Sequence, residues 1–246
     1  MFTRSSALAG IMTLLSYSTT AMAVTLAPVL KKGDRIVFLG DSITEAGAGG
    51  PDGYINVIKA AIEAQHKDLG VEIIGAGVSG NKVADLQGRL QGAVLDKKPS
   101  IVFIYIGIND VWHWNKNPQG VMVGGTTKEA FEAGLKDIIG KINGVGARVI
   151  LCTPSVIGEK HDGSNERDKM LDEYSDISRK VAGETKCQMV DLRKAFVNFL
   201  KANNKENKPT GILTADSVHL SASGNRLVAE EMLKSLGVKL TPIPSK

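Results

Sequence analysis

The chain has 246 residues, 43% of them hydrophobic and 23% charged, with a formal net charge of +4. That composition is ordinary for a soluble globular protein and is long enough to bury the core of one α/β domain. Lysines and arginines are scattered rather than clustered, which excludes a nucleic-acid footprint.

The N-terminus reads as an address. Arg4 is the only charged residue before Lys31, Ala7 to Leu15 are largely apolar, and Ala21-Met22-Ala23 is a small-x-small cleavage site. The pattern predicts a secretory signal peptide over residues 1–23, a single domain over 24–246, no membrane span, and a periplasmic or extracellular destination. No cysteine follows the cleavage site, so a lipid anchor is not expected.

Beyond the signal, five short β-rich runs succeed one another: 35–39, 71–74, 101–106, 148–151 and 188–192. Their nearly unbroken apolarity suits parallel strands covered on both faces. Helical periods lie between or after them. Tyr54, Val57, Ile58, Ala61 and Ile62 share one face, and Phe131, Leu135, Ile138, Ile139 and Ile142 share another, behind a capping box at Thr126 and Glu129. Met170, Tyr174, Ile177 and Val181 mark a further helix, and Leu227, Val228, Met232 and Leu236 a final one. The alternation predicts an α/β fold, a three-layer α/β/α sandwich around a five-stranded parallel sheet. Cys152 then ends one strand and Cys187 begins the next, at opposite edges of the sheet, so no disulfide is expected. No Cys/His spacing suits zinc.

Chemistry gathers after the strands. Gly40-Asp41-Ser42 follows the first, where a serine faces the crevice in which open α/β sheets bind ligands. The plain structural alternative is a helix N-cap. A nucleophilic serine needs a base, and the base needs an orienting acid. Of the four histidines, His66 sits in a charged helix end and His161 in a polar loop, whereas His219 lies in Asp216-Ser217-Val218-His219. At that spacing on a turn, the carboxylate can reach the imidazole nitrogen that faces away from the serine. The alternative there is a turn that caps the last helix. Gly77-Val78-Ser79-Gly80-Asn81 follows the second strand and Gly107-Ile108-Asn109-Asp110 the third, offering donors for an oxyanion. Taken singly, these are turn glycines and a helix-capping Asn109. Together they share one rim of the sheet.

These four blocks resemble those of the SGNH hydrolases, also called GDSL esterases/lipases, over most of the chain past Gly40. The resemblance implies a flavodoxin-like sheet without a large lid, and catalytic Ser42, His219 and Asp216. It further implies an oxyanion hole of the Ser42 and Gly80 amides and the Asn109 side chain. Gly75 departs from the pattern, since relatives often have asparagine there. No metal or organic cofactor is implied.

Both tryptophans, Trp112 and Trp114, follow Asn109 closely. With Asp41 they are candidate substrate-binding residues: flat rings beside the rim can stack on sugars, or can simply pack the loop. The expected substrate is a small-molecule or carbohydrate ester, with short acyl (acetyl) groups favoured. The alternatives are a lipase- or lysophospholipase-type acyl hydrolase, a non-catalytic glycan-binding protein on the same scaffold, and a nucleotide or phosphate binder. The last lacks a G-x-G-x-x-G or Walker pattern. No obligatory protein partner is evident.

Overall fold

In a computed structural model, which describes residues 30–240, the five apolar runs form one parallel sheet. Its strands are β1 (Arg35–Gly40), β2 (Glu72–Gly77), β3 (Ile101–Tyr105), β4 (Arg148–Cys152) and β5 (Gln188–Val190), in the order β2-β1-β3-β4-β5. β3 is buried along its whole length and β1 beyond its first residue, whereas the edge strands β2 and β5 are partly exposed. Phe38 of β1 and Phe103 of β3 are in register, and their rings stack at 4.8 Å. Burying side chains of this size contributes on the order of 1.5–3 kcal/mol each. The proposed signal segment lies outside the described residues.

Among the described residues, eight α-helices flank the sheet. They are α1 (Ser42–Gly49), α2 (Tyr54–His66), α3 (Val83–Ala93), α4 (Ile108–Trp112), α5 (Lys128–Gly144), α6 (Asp168–Thr185), α7 (Leu192–Asn203) and α8 (Ala222–Ser235). α3, α5 and α6 pack in succession on one side, and α1, α2, α8 and α7 on the other. This is the expected three-layer sandwich. Among the described residues no helix is long and apolar enough to cross a membrane.

Several local expectations are corrected. The N-cap of α5 is Thr127, whose hydroxyl accepts from the Ala130 amide, so the capping box at Thr126 does not form. β5 stops at Val190 because Asp191 caps α7 by accepting from the Lys194 amide. The buried face of α6 is centred on Leu171, Tyr174 and Val181 and includes Ser175 and Ser178. Their hydroxyls are satisfied by the carbonyls of Leu171 and Tyr174 one turn back, which makes their burial tolerable. The polar loop after Trp114 contains a small hairpin, Asn115–Lys116 against Met122–Val123. Cys152 and Cys187 are both free; Cys152 ends β4, and Cys187 lies immediately before the neighbouring strand β5 rather than at an opposite edge of the sheet. Cys152 is level with Val190, and Cys187 stands three residues earlier. That is about 10 Å of strand, beyond the ~7 Å a disulfide spans.

Candidate active site

The strand order reverses direction between β1 and β3, which opens a crevice at their carboxyl ends. α1 starts there at once. Asp41 is its N-cap, accepting from the Ile43 amide at 3.0 Å, so Ser42 becomes the first helical residue and its hydroxyl is spared from capping. The turn is tight enough to require glycine: a Cβ on Gly40 would stand 2.1 Å from Thr44 Oγ1 and 2.5 Å from the Tyr105 carbonyl. Gly75, where the family pattern often has asparagine, accommodates α1 as well, since a Cβ there would approach Ala48 to 2.9 Å.

His219 reaches Ser42 across the crevice, its Nε2 lying 3.0 Å from Ser42 Oγ. Its Nδ1 lies 2.7 Å from Asp216 Oδ2, while Asp216 Oδ1 accepts from the amides of Val218 and His219 at 3.0 and 2.8 Å. The aspartate therefore wraps its own turn and holds the ring at once. Burial pushes the Asp216 carboxyl up, but the bonds from His219 and Val218 outweigh it and hold it below the usual carboxylate range. The alternative of a helix-capping turn does not apply, because Ser221 caps α8. A serine hydrogen-bonded to an imidazole that is itself oriented by a carboxylate can be deprotonated as it attacks a carbonyl.

The second and third blocks lie on neighbouring loops. Glu45 of α1 accepts from the Ser79 amide at 2.9 Å and from the Ser79 hydroxyl, which pins the turn before Gly80. Gly80 has φ +78°, a left-handed conformation that favours glycine. Asn109 does not cap a helix: Gly107 is the N-cap of α4, and Asn109 Nδ2 donates to the Asn81 carbonyl at 3.1 Å. That bond uses one amide proton and fixes the plane of the carboxamide.

Two buried acids complete the blocks. Burial pushes the Asp41 carboxyl up to about 7; the Ile43 amide opposes this, Asp110 adds to it and His219 opposes it. Burial likewise pushes Asp110 up to about 6, against the Thr126 side chain and the Val83 amide. Asp110 Oδ1 accepts from Val83, but Oδ2 is buried without a hydrogen-bond partner. Asp41 is itself 2% exposed, so its side chain supports α1 and does not line an open surface.

The two tryptophans part company. Trp112 is exposed, and its ring lies 6.4 Å from that of His219, edge-on at 72°. Trp114 turns away: its ring lies over Gly125, and its Nε1 faces the Tyr174 hydroxyl. Of the two, Trp112 is the one beside His219, while Trp114 packs against Gly125 and faces Tyr174 of α6. Of the exposed large hydrophobics among the described residues, Val78, Trp112, Val121, Met122 and Val123 lie in the segments that follow β2 and β3. Among the described residues there is no group of three or more His, Cys, Asp or Glu side chains arranged to hold a metal ion.

Two functional supports were missed by the sequence reading. Glu159, fully buried, accepts from the amides of Ile212, Leu213 and Thr214 and from the Thr214 hydroxyl. Beside it, the Gly158 amide donates to the Ser217 carbonyl at 2.8 Å. Together they clamp the segment that carries Asp216, in which Ser217 adopts φ +84°. Arg89 is the other, bonded to both the first and the second block. Neither has a local signal, because only the folded loops bring their acceptors and donors together.

Fold and crevice together define an ester hydrolase of the SGNH type, and comparison with known proteins agrees. The model of the GDSL-like lipase/acylhydrolase family matches residues 38–227. An acetylxylan esterase of Geobacillus stearothermophilus is 31% identical over 218 residues, covering 83% of this chain and 94% of the relative. The crystal structure of the acetyl xylan esterase AlAXEase aligns with a TM-score of 0.76 at 43% identity, over 82% of this chain and 98% of that one. The crystal structure of the Geobacillus stearothermophilus acetylxylan esterase aligns with a TM-score of 0.75 at 28% identity, over 87% and 98%. The chain belongs to the GDSL-like lipase/acylhydrolase family, within the SGNH hydrolases, and is a carboxylic ester hydrolase.

Proposed function

We propose that this protein is an exported esterase that removes acetyl groups from carbohydrate, with Ser42 as nucleophile, His219 as base and Asp216 as its orienting acid. The observation that carries the reading is the unbroken relay from Ser42 Oγ to His219 Nε2 at 3.0 Å and from His219 Nδ1 to Asp216 at 2.7 Å. Solved structures of catalytic mutants of the Geobacillus enzyme, with a serine or an aspartate replaced by alanine, are consistent with it. The acetyl-carbohydrate preference draws on the acetylxylan esterase relatives and on Trp112 beside His219. Export draws on the sequence pattern of residues 1–23.

As Ser42 Oγ bonds to the acyl carbon, its proton passes to His219 Nε2. The carbonyl oxygen becomes an oxyanion, held by the Ser42 and Gly80 amides and by the Asn109 amide proton that Asn81 leaves unused. Collapse breaks the bond to the sugar oxygen, which takes the proton from His219 and departs as the alcohol. Water, deprotonated by His219, then attacks the acetyl-serine; collapse releases acetic acid and returns the proton to Ser42 Oγ. Asp216 stays ionised and stabilises the transient imidazolium. The exposed apolar tip at Val121, Met122 and Val123 supports a second reading, hydrolysis of longer acyl chains.

Ser42→Ala tests the nucleophile. The variant should remain folded, lose ester hydrolysis and lose covalent labelling by a serine-directed phosphonate. Retained turnover in a folded Ser42→Ala protein would refute the assignment.

A further inference from the structure

The proposed oxyanion donors come from three separate loops, and donors of this kind act only when held at a fixed spacing. Arg89, on α3, is half-buried and makes an unusual set of bonds. Its Nη2 donates to the Gly40 carbonyl at 2.8 Å and to the Ala76 carbonyl at 2.9 Å. Its Nε donates to Asn81 Oδ1 at 2.6 Å. Gly40 lies two residues before Ser42, and Ala76 four residues before Gly80 at the end of the paired strand. The Asn81 main-chain carbonyl in turn accepts from Asn109 Nδ2 at 3.1 Å. One guanidinium thus touches the first and second blocks directly and reaches the third through Asn81.

A guanidinium normally finds a carboxylate that matches its fork. Here every one of these acceptors is neutral. The acid that acts on its charge, Asp85, instead uses its carboxylate on the Lys82 amide at 2.8 Å. Burial accordingly draws the Arg89 pKa below its usual value. A half-buried cation without a bonded counter-ion gives up part of its hydration for neutral acceptors, whereas a rigid planar donor that spans three acceptors is well suited to fixing loops against each other.

We propose that Arg89 is a positioning residue of the oxyanion hole, setting the spacing between the Ser42 and Gly80 amides and the Asn109 carboxamide. This rests on the oxyanion-hole reading above. A lysine keeps the charge but cannot span the same acceptors, so the role belongs to the fork and not to the charge.

The test is a kinetic cycle on a short acyl ester with Arg89→Met, Arg89→Lys, Asn109→Ala and the double variant Arg89→Met/Asn109→Ala. Arg89→Met should lower kcat about 10- to 100-fold, below the loss of a donor itself, with KM changed less than about three-fold. Arg89→Lys should fall nearly as far. In the Asn109→Ala background, the cost of Arg89→Met should shrink, because two groups acting through one link are not additive. The pKa seen in the kcat/KM profile should not move, since Arg89 does not touch His219. Should Arg89→Met fail to fold, Asn81→Leu carries the test: it cuts only the side-chain link and should lower kcat several-fold. Unchanged kcat in a folded Arg89→Met or Asn81→Leu protein, a full additive cost in the double variant, or a displaced pKa would overturn the proposal. If Asn109→Ala itself keeps wild-type kcat, the oxyanion-hole reading fails instead.

Discussion

Replacing Glu159 by glutamine removes one oxygen from the clamp behind Asp216. Oε1 accepts from the Leu213 amide and the Thr214 hydroxyl, each at 2.7 Å, and from the Thr214 amide, while Oε2 accepts from the Ile212 amide at 2.9 Å. If the glutamine oxygen keeps the three bonds of Oε1, its amide faces the Ile212 amide, donor against donor. One buried N–H left unsatisfied costs about 1–3 kcal/mol, and the remaining bonds weaken when their acceptor loses its charge. With three such bonds each weakened by up to about 1 kcal/mol, the total is about 3–5 kcal/mol. Against a whole-protein stability on the order of 5–15 kcal/mol, the variant should stay folded at low temperature and melt roughly 10 °C lower. Urea unfolding followed by circular dichroism measures the loss, with Thr214→Val, which removes a single donor, as a companion expected to lose about 1 kcal/mol. At a temperature where Glu159→Gln is folded, kcat should also fall, because the clamped segment positions Asp216 and His219. A loss below about 1 kcal/mol, or no greater than that of Thr214→Val, would refute the view that Glu159 holds this loop.

Two further outcomes follow from the site. The folded protein keeps the Asp41 proton up to about pH 7, whereas the unfolded chain releases it near 3.8. Asp41 therefore favours folding at low pH, and its contribution is lost as pH rises between those values, by up to about 1.4 kcal/mol per pH unit. Asp41→Asn keeps an acceptor for the Ile43 amide but does not titrate, so its stability relative to wild type should rise from pH 5 to pH 7 and then level off. A pH-independent difference would contradict the burial argument. Asn109→Ala should lower kcat about 10²–10³-fold and cost about 1 kcal/mol of stability for the lost bond to Asn81; lost stability with kept activity would reverse that reading.

The sheet was legible because its strands are unbroken apolar runs between glycine-rich turns, and the four blocks were legible because each follows or closes such an element. What escaped was decided by competition between neighbours. Asp191 ends β5 by capping α7, although Leu192 read as part of the strand. α1 is eight residues long with two glycines, Gly47 and Gly49, and carries no strong helical period. It is placed by packing, with Gly47 against the Tyr54 ring. Trp112 and Trp114 are two residues apart, so opposite orientations were to be expected, but only tertiary contacts decide which one faces His219. Glu159 serves partners more than 50 residues away, and Arg89 joins Gly40, 49 residues off, to Ala76 in β2 and Asn81 on the preceding loop. No local pattern announces a buried acid that accepts backbone amides, or an arginine that donates to carbonyls.

The most direct test of the central claim is the release of acetate from acetylated xylo-oligosaccharide, measured as kcat/KM beside a long-chain acyl ester, for wild type, Ser42→Ala, Trp112→Ala and Trp114→Ala. Turnover of the acetylated sugar should be the faster, absent with Ser42→Ala, and should fall further for Trp112→Ala than for Trp114→Ala. Faster turnover of the long-chain ester, with the sugar ester untouched by Trp112→Ala, would contradict that claim.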